Sequence, residues 1–193
     1  NDIILKLGSF DLLDDIHKLF GVTQKELFVT NSCKFYFLKN KRLKEKYPQS
    51  ILNRCLDFRE RVSVIEDFDD EMNGRLSSLE DIDPGEAMLF AASVLYSESI
   101  ILTGDKRSIE SLANFEDKEK FKNRIMILEQ IIQRYIALKG FDVIKNKVIP
   151  FKEFDTSIRA IFGSGDLSNL ENVEIVLISY INDLRSKTGN LLM

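Results

Sequence analysis

Asp83-Pro84-Gly85-Glu86-Ala87, then an apolar helical run, then Ser99-Ile100-Ile101-Leu102-Thr103-Gly104-Asp105-Lys106-Arg107: this is the part of the chain, within Leu79 to Leu112, whose reading decides the fold. Pro84 is pre-set for a first helical position, where its missing N–H costs nothing because that donor has no partner in any helix. Asp83 ahead of it can cap the open donors, and Glu86, three residues on, completes a capping box. Ala87, Phe90, Ala91, Val94 and Leu95 recur at helical spacing and make one apolar face. That helix must stop near Ser97 to Ser99. Ile100, Ile101 and Leu102 are too few for another helix and predict a short strand buried on both faces. Thr103-Gly104-Asp105 turns the chain, and Ser108, Ile109, Leu112 and Ala113 begin the next helix. An acidic residue is thus delivered at the carboxyl end of a buried strand, where open α/β sheets place their chemistry.

A chain of 193 residues is long enough to bury a core, as one domain or one domain with an extension. Its 44% apolar and 30% charged residues are ordinary for a globular protein. No apolar run approaches the roughly 20 residues of a membrane span, and no secretory signal is visible. Cys33 and Cys55 have no framework spacing, which fits free thiols and a cytoplasmic protein. With His17 the single histidine, no Cys/His zinc cluster and no nucleophile-histidine pair is available. The net charge of −4 argues against a general nucleic-acid coat protein. It leaves room for a nuclease, because bound cations offset a carboxylate site.

Asp83-Pro84-Gly85-Glu86-Ala87, the Ala91-Ala92 pair and Leu102-Thr103-Gly104-Asp105-Lys106-Arg107 resemble the central motifs of PIN domains, metal-dependent nucleases related to FLAP-type nucleases. The resemblance is specific over residues 79 to 113, looser over 1 to 40, and absent beyond about residue 140. It implies an α/β fold of three layers, α/β/α, with a central parallel sheet of four to five strands over 1–140. Residues 141–193 would then form a helical C-terminal extension packed on or beside that domain. It also implies that Glu86 and Asp105 bind Mg²⁺ or Mn²⁺, with Asp83 as an outer ligand or simply the cap.

In that family a further metal aspartate ends the first strand and is followed, after one residue, by an asparagine or small polar residue. If Asn1 is that asparagine, the aspartate falls two positions earlier, and Asp2 is the acid nearest that corner. The alternative for Asp2 is a helix-start carboxylate beside the macrodipole. Many members carry a glutamate one to two turns into the helix that Asn31-Ser32 begins. Here those places hold Lys34, Tyr36 and Phe37.

Elsewhere the patterns predict a helix over Phe10 to Phe20 stopped by Gly21, a strand at Leu27 to Thr30, and a helix from Gln49 to Val64. The acidic cluster Glu66 to Glu71 reads as a solvated link, since it lacks calcium-loop spacing. Arg124 to Lys139 reads as the cleanest amphipathic helix, with Gly140 as its stop. Helices at Phe154 to Phe162 and Glu171 to Arg185 complete the tail. Lys39 to Lys46, with Lys41 and Arg42 at its centre and Tyr36 and Tyr47 nearby, is either a backbone-binding patch with stacking partners or a solvated helix face.

The expectation for function is a divalent-metal-dependent endoribonuclease, toxin-like or RNA-processing. Glu86, Asp105 and Asp2 would be catalytic, and Thr103, Lys106, Arg107, Lys41 and Arg42 would contact RNA. Carboxylate oxygens of this kind suit Mg²⁺ or Mn²⁺ and two-metal hydrolysis. The competing class is a catalytically degenerate PIN-fold module that binds RNA or a protein partner. The C-terminal helices offer a lid, a homodimer surface or a contact for a protein such as an antitoxin.

Overall fold

The structure, a computed structural model, describes all 193 residues. Its first helix, α1 (Asp2–Ser9), leads through a 3₁₀ segment at Leu13–Leu19 to strand β1 (Phe28–Val29). Helices α2 (Cys33–Lys39), α3 (Lys41–Lys46) and α4 (Gln49–Arg61) precede strand β2 (Ser63–Val64). Then come α5 (Asp70–Leu76), α6 (Pro84–Leu95), β3 (Ile101–Thr103), α7 (Lys106–Leu112) and β4 (Ile125–Ile127). The chain closes with α8 (Leu128–Lys139), α9 (Phe141–Val148), α10 (Thr156–Ile161) and α11 (Leu170–Thr188).

The expected three-layer fold with a central parallel sheet is not what forms. The chain is 66% helical, and its strands make two separate two-stranded parallel ribbons, β1 with β2 and β3 with β4. The reason is the shortness of the extended runs. Two or three residues per strand give each ribbon only a few ladder bonds, while helical spacing governs nearly everything between them. Phe28 pairs with Ser63 and Val29 with Val64; Ile101, Leu102 and Thr103 pair with Ile125, Met126 and Ile127.

Residues 125–127 correct a second expectation. The helix predicted from Arg124 starts at Leu128, because Ile125-Met126-Ile127 is the strand that β3 needs as its partner. A short apolar run is compatible with either period, and tertiary pairing decides. The acidic link likewise becomes helical at α5: Asp69 accepts from the Met72 N–H at 2.9 Å, and Met72 and Leu76, one turn apart, are buried.

Two apolar cores result. The larger joins α1, α4 and α8 to Ile144, Ile158, Val173 and Leu177 of the C-terminal helices. The smaller joins α6, α7 and alternate residues of β4 to Ile181, Leu184, Leu191 and Leu192. Helix α11 therefore serves both. Helices α1 and α4 cross closely at Gly8, where a Cβ would stand 2.6 Å from the Cys55 sulfur. Cys33 and Cys55 are buried free thiols, pushed up to about 11 and about 12 by burial. No helix is long and apolar enough to cross a membrane.

Candidate functional site

Helix α6 begins as its sequence dictates. Asp83 Oδ1 accepts from the N–H groups of Gly85 and Glu86 at 2.8 Å each, and the Asp83 N–H donates to Glu86 Oε2 at 3.3 Å. This capping box fixes Glu86 on the first turn, half-buried and without an ion pair. Burial pushes its carboxyl up to about 7; the Asp83 N–H and the Ser108 hydroxyl draw it back, and the nearby carboxylates of Asp83 and Asp105 add to the rise.

Asp105 caps α7, accepting from the Arg107 N–H at 2.9 Å and from its guanidinium at 3.3 Å. It stands just past β3 on a turn held by the Asp105 N–H donating to Thr103 Oγ1 at 3.1 Å. Gly104 lets the chain pass tightly beside α1: a Cβ there would be 2.4 Å from Asp2 Oδ2. The carboxyl end of β3 thus gathers Asp2, Asp83, Glu86 and Asp105 in one neighbourhood. Tyr36 belongs to it as well, its hydroxyl raised by burial and then by the charges of Asp2 and Asp83. It is a residue of the very helix that offers no carboxylate.

Asp2, the helix-start acid, is paired with Lys6 one turn on at 2.6 Å, and Lys6 also reaches Asp155 ahead of α10 at 2.8 Å. Burial alone would lower the Lys6 ammonium, but these two carboxylates more than reverse it and raise it. The Asp2–Lys6 spacing is legible in sequence as an i,i+4 pair. The Lys6–Asp155 pair has no local signal.

Several expected substrate contacts have other partners. Thr103 is buried and holds its turn. Lys106 points at the nearly fully buried Glu129, with its ammonium 4.7 Å from the Tyr180 ring centre. Tyr47 is buried against Phe154 at 4.5 Å between ring centres, so it offers no stacking face. Lys41 and Arg42 are exposed on α3, and Arg107 is exposed at the site itself.

No group of three or more Asp, Glu, His or Cys side chains stands close enough to hold an ion by itself. The donors nonetheless fit Mg²⁺ or Mn²⁺ in kind. Glu86 is a half-buried carboxyl with no cation, flanked by Asp83 and Asp105. Mg²⁺ is commonly held by one or two carboxylates, with waters and substrate phosphate completing its shell. Glu86 and Asp105 are the two that would hold it. In comparisons with known proteins, no family model, no curated protein and no solved structure matches this chain.

Proposed function

We propose that the chain is a divalent-metal-dependent endoribonuclease acting in the cytoplasm, with its site at the carboxyl end of β3. The supporting observation is Glu86, kept part-protonated near neutral pH by burial among like charges, with no cation of its own. Strongly perturbed groups of this kind cluster at functional sites. Mg²⁺ or Mn²⁺ bound there would supply a polarised phosphoryl oxygen and an activated water. Glu86 and Asp105 hold the cation, and Glu86 must give up its proton to do so. Arg107, exposed and steadied by Asp105, is placed to meet a phosphate oxygen. Lys41 and Arg42 provide backbone contacts of the kind that retain single strands. The test is metal-titrated cleavage of generic single-stranded RNA, with Asp105→Asn alongside. Cleavage that needs Mg²⁺ or Mn²⁺ and disappears in the variant supports the reading, and no cleavage together with no metal binding sinks it.

A second reading, a non-catalytic module that binds RNA or a protein partner, is favoured by the Lys6 ammonium. It already neutralises Asp2, one of the four acids gathered at the carboxyl end of β3. In that case the partner stays bound after Asp105→Asn, and no metal concentration produces cleavage.

A further inference from the structure

Phe35 is 57% exposed, and Leu38, three residues on along the same face of α2, is 41% exposed. Cys33 and Phe37 take the inner face of that helix, both almost fully buried, and a residue set between two such positions points the other way. Of the 14 phenylalanines only Phe28 and Phe35 are exposed. Phe28 stacks on Tyr96, whereas Phe35 has no aromatic neighbour and only the Lys39 ammonium beside it, 5.2 Å from the ring centre.

The chain bends at Asn40, whose side chain caps α3 by accepting from the Leu43 N–H at 3.3 Å. Leu43 and Tyr47 turn inward, so Lys41, Arg42, Lys44 and Lys46 stand in solvent, as Lys39 does ahead of the bend. More than half of the protein's Lys and Arg side chains pair with a carboxylate, and these five pair with none. Glu45 is the one acid in their stretch. In a chain of net charge −4 this is a local excess of cations that the fold itself leaves open.

Tyr36, the residue after Phe35, lies near enough to Asp2 and Asp83 for their charges to act on its hydroxyl. Helix α2 therefore shows one side to the carboxyl end of β3 and the neighbouring side, with Phe35, to solvent. Proteins that hold single strands combine the same parts: cations that track the phosphates and an aromatic ring on which an unpaired base stacks. A duplex keeps its bases stacked on one another and offers such a ring nothing.

We propose that Phe35 is the base-stacking platform of a single-stranded RNA track that leads into the carboxyl end of β3, with Lys39, Lys41, Arg42, Lys44 and Lys46 on the phosphates. RNA as the polyanion rests on the endoribonuclease reading. With Tyr47 buried and Tyr36 turned to the acids, the ring left to meet a base is Phe35. The substrate is then an unpaired segment, chosen by stacking and charge with little regard to sequence.

The probe is a fluorescein-labelled oligouridylate of about 12 nucleotides, within the span one such groove covers, titrated into the 193-residue chain in EDTA so that nothing is cleaved. Phe35→Ala weakens binding at least tenfold. Lys41→Ala with Arg42→Ala flattens the fall of log affinity with log salt by about 1.4, since a single strand contributes about 0.7 for each phosphate neutralised. The chain has no Trp, so Phe35→Trp is a single reporter. Its emission is quenched by the oligouridylate, and neither by the same strand paired to its complement nor by heparin, which carries charge without bases. No binding of the oligouridylate, equal affinity of Phe35→Ala and the unaltered chain, or equal quenching by the duplex overturns the proposal. Phosphatidylserine vesicles that shift the Phe35→Trp emission to the blue, with no quenching by RNA, give the patch to a membrane surface and overturn it as well. The nuclease and the platform fail separately. RNA that binds and quenches in EDTA but is never cleaved once Mn²⁺ is added sinks the nuclease and leaves the platform, while cleavage at unchanged kcat/KM in Phe35→Ala sinks the platform and leaves the nuclease.

Discussion

The Lys6 ammonium lies 2.8 Å from the Asp155 carboxylate, tying the first helix to the cap of the tenth. Asp155 is buried and also accepts from the Ile158 N–H at 2.8 Å and the Ser157 hydroxyl at 2.7 Å. Burial would raise its carboxyl, yet Lys6 and these donors hold it below the usual range.

Lys6→Met therefore leaves a buried carboxylate without its cation. Breaking such a pair costs about 3–5 kcal/mol, whereas removing both charges is far milder. Urea unfolding at pH 7 should give that loss for Lys6→Met and recover much of it in Lys6→Met with Asp155→Asn. Because the folded Asp155 pKa is depressed, this stability is present above the ordinary carboxylate range and drains away as pH falls through it.

Glu86 titrates with the opposite sign. Its folded pKa, about 7, lies above the ordinary 4.5, so the folded chain keeps a proton that the unfolded chain releases in that window. Stability should decline as pH rises from 4.5 toward 7 and level off above it. Glu86→Gln keeps the capping box and removes the charge, so its curve should lack this decline. Mn²⁺ added at pH 8 should restore stability to the wild type and not to Glu86→Gln, and its affinity should rise between pH 6 and 8 as the proton leaves.

Asp105→Asn separates charge from capping. Asn caps a helix as well as Asp does, so the bond from the Arg107 N–H survives and Tm should move by no more than about 2 °C. If the carboxylate holds a catalytic cation, cleavage should fall by about 100-fold or more, the scale of several kcal/mol of lost charge stabilisation. A comparable loss in Thr103→Val would instead trace to the turn, since Thr103 Oγ1 accepts from the Asp105 N–H.

Two glycines should respond in opposite directions to Ala. At Gly8 a Cβ meets the Cys55 sulfur at 2.6 Å between α1 and α4, and overpacking of this kind costs about 1–3 kcal/mol. At Gly74, inside α5, nothing lies within 4 Å. The methyl there should stabilise the helix by about 0.5–1 kcal/mol, through backbone entropy alone. Denaturant midpoints of the two variants check both signs.

What the sequence disclosed was local. The capping box at Asp83 and Glu86 and the stop at Gly140 both rest on contacts within a turn or two. The misjudged regions depend on partners far away. Ile125 to Ile127 is a strand only because Ile101 to Thr103 lies beside it, and the central sheet failed because pairing between ribbons cannot be read from any one segment. At the site, Asp83, Glu86 and Asp105 were legible from motif and spacing. Asp155 and Glu129 were not, since a buried carboxylate reads in sequence like an exposed one until its lysine is located.

Helix α11 has a consequence for biosynthesis. Val173 and Leu177 complete one core with residues from α1, while Ile181 and Leu184 complete the other with residues from α6 and α7. A chain emerging from the ribosome must therefore carry both half-cores, apolar faces bare, until residues 173 to 184 have been made. Folding whose decisive contacts join distant parts of the chain is slow and prone to aggregation. Nascent chains stalled before Val173 should be held by chaperones, and chains stalled with Leu192 clear of the exit tunnel should be released from them.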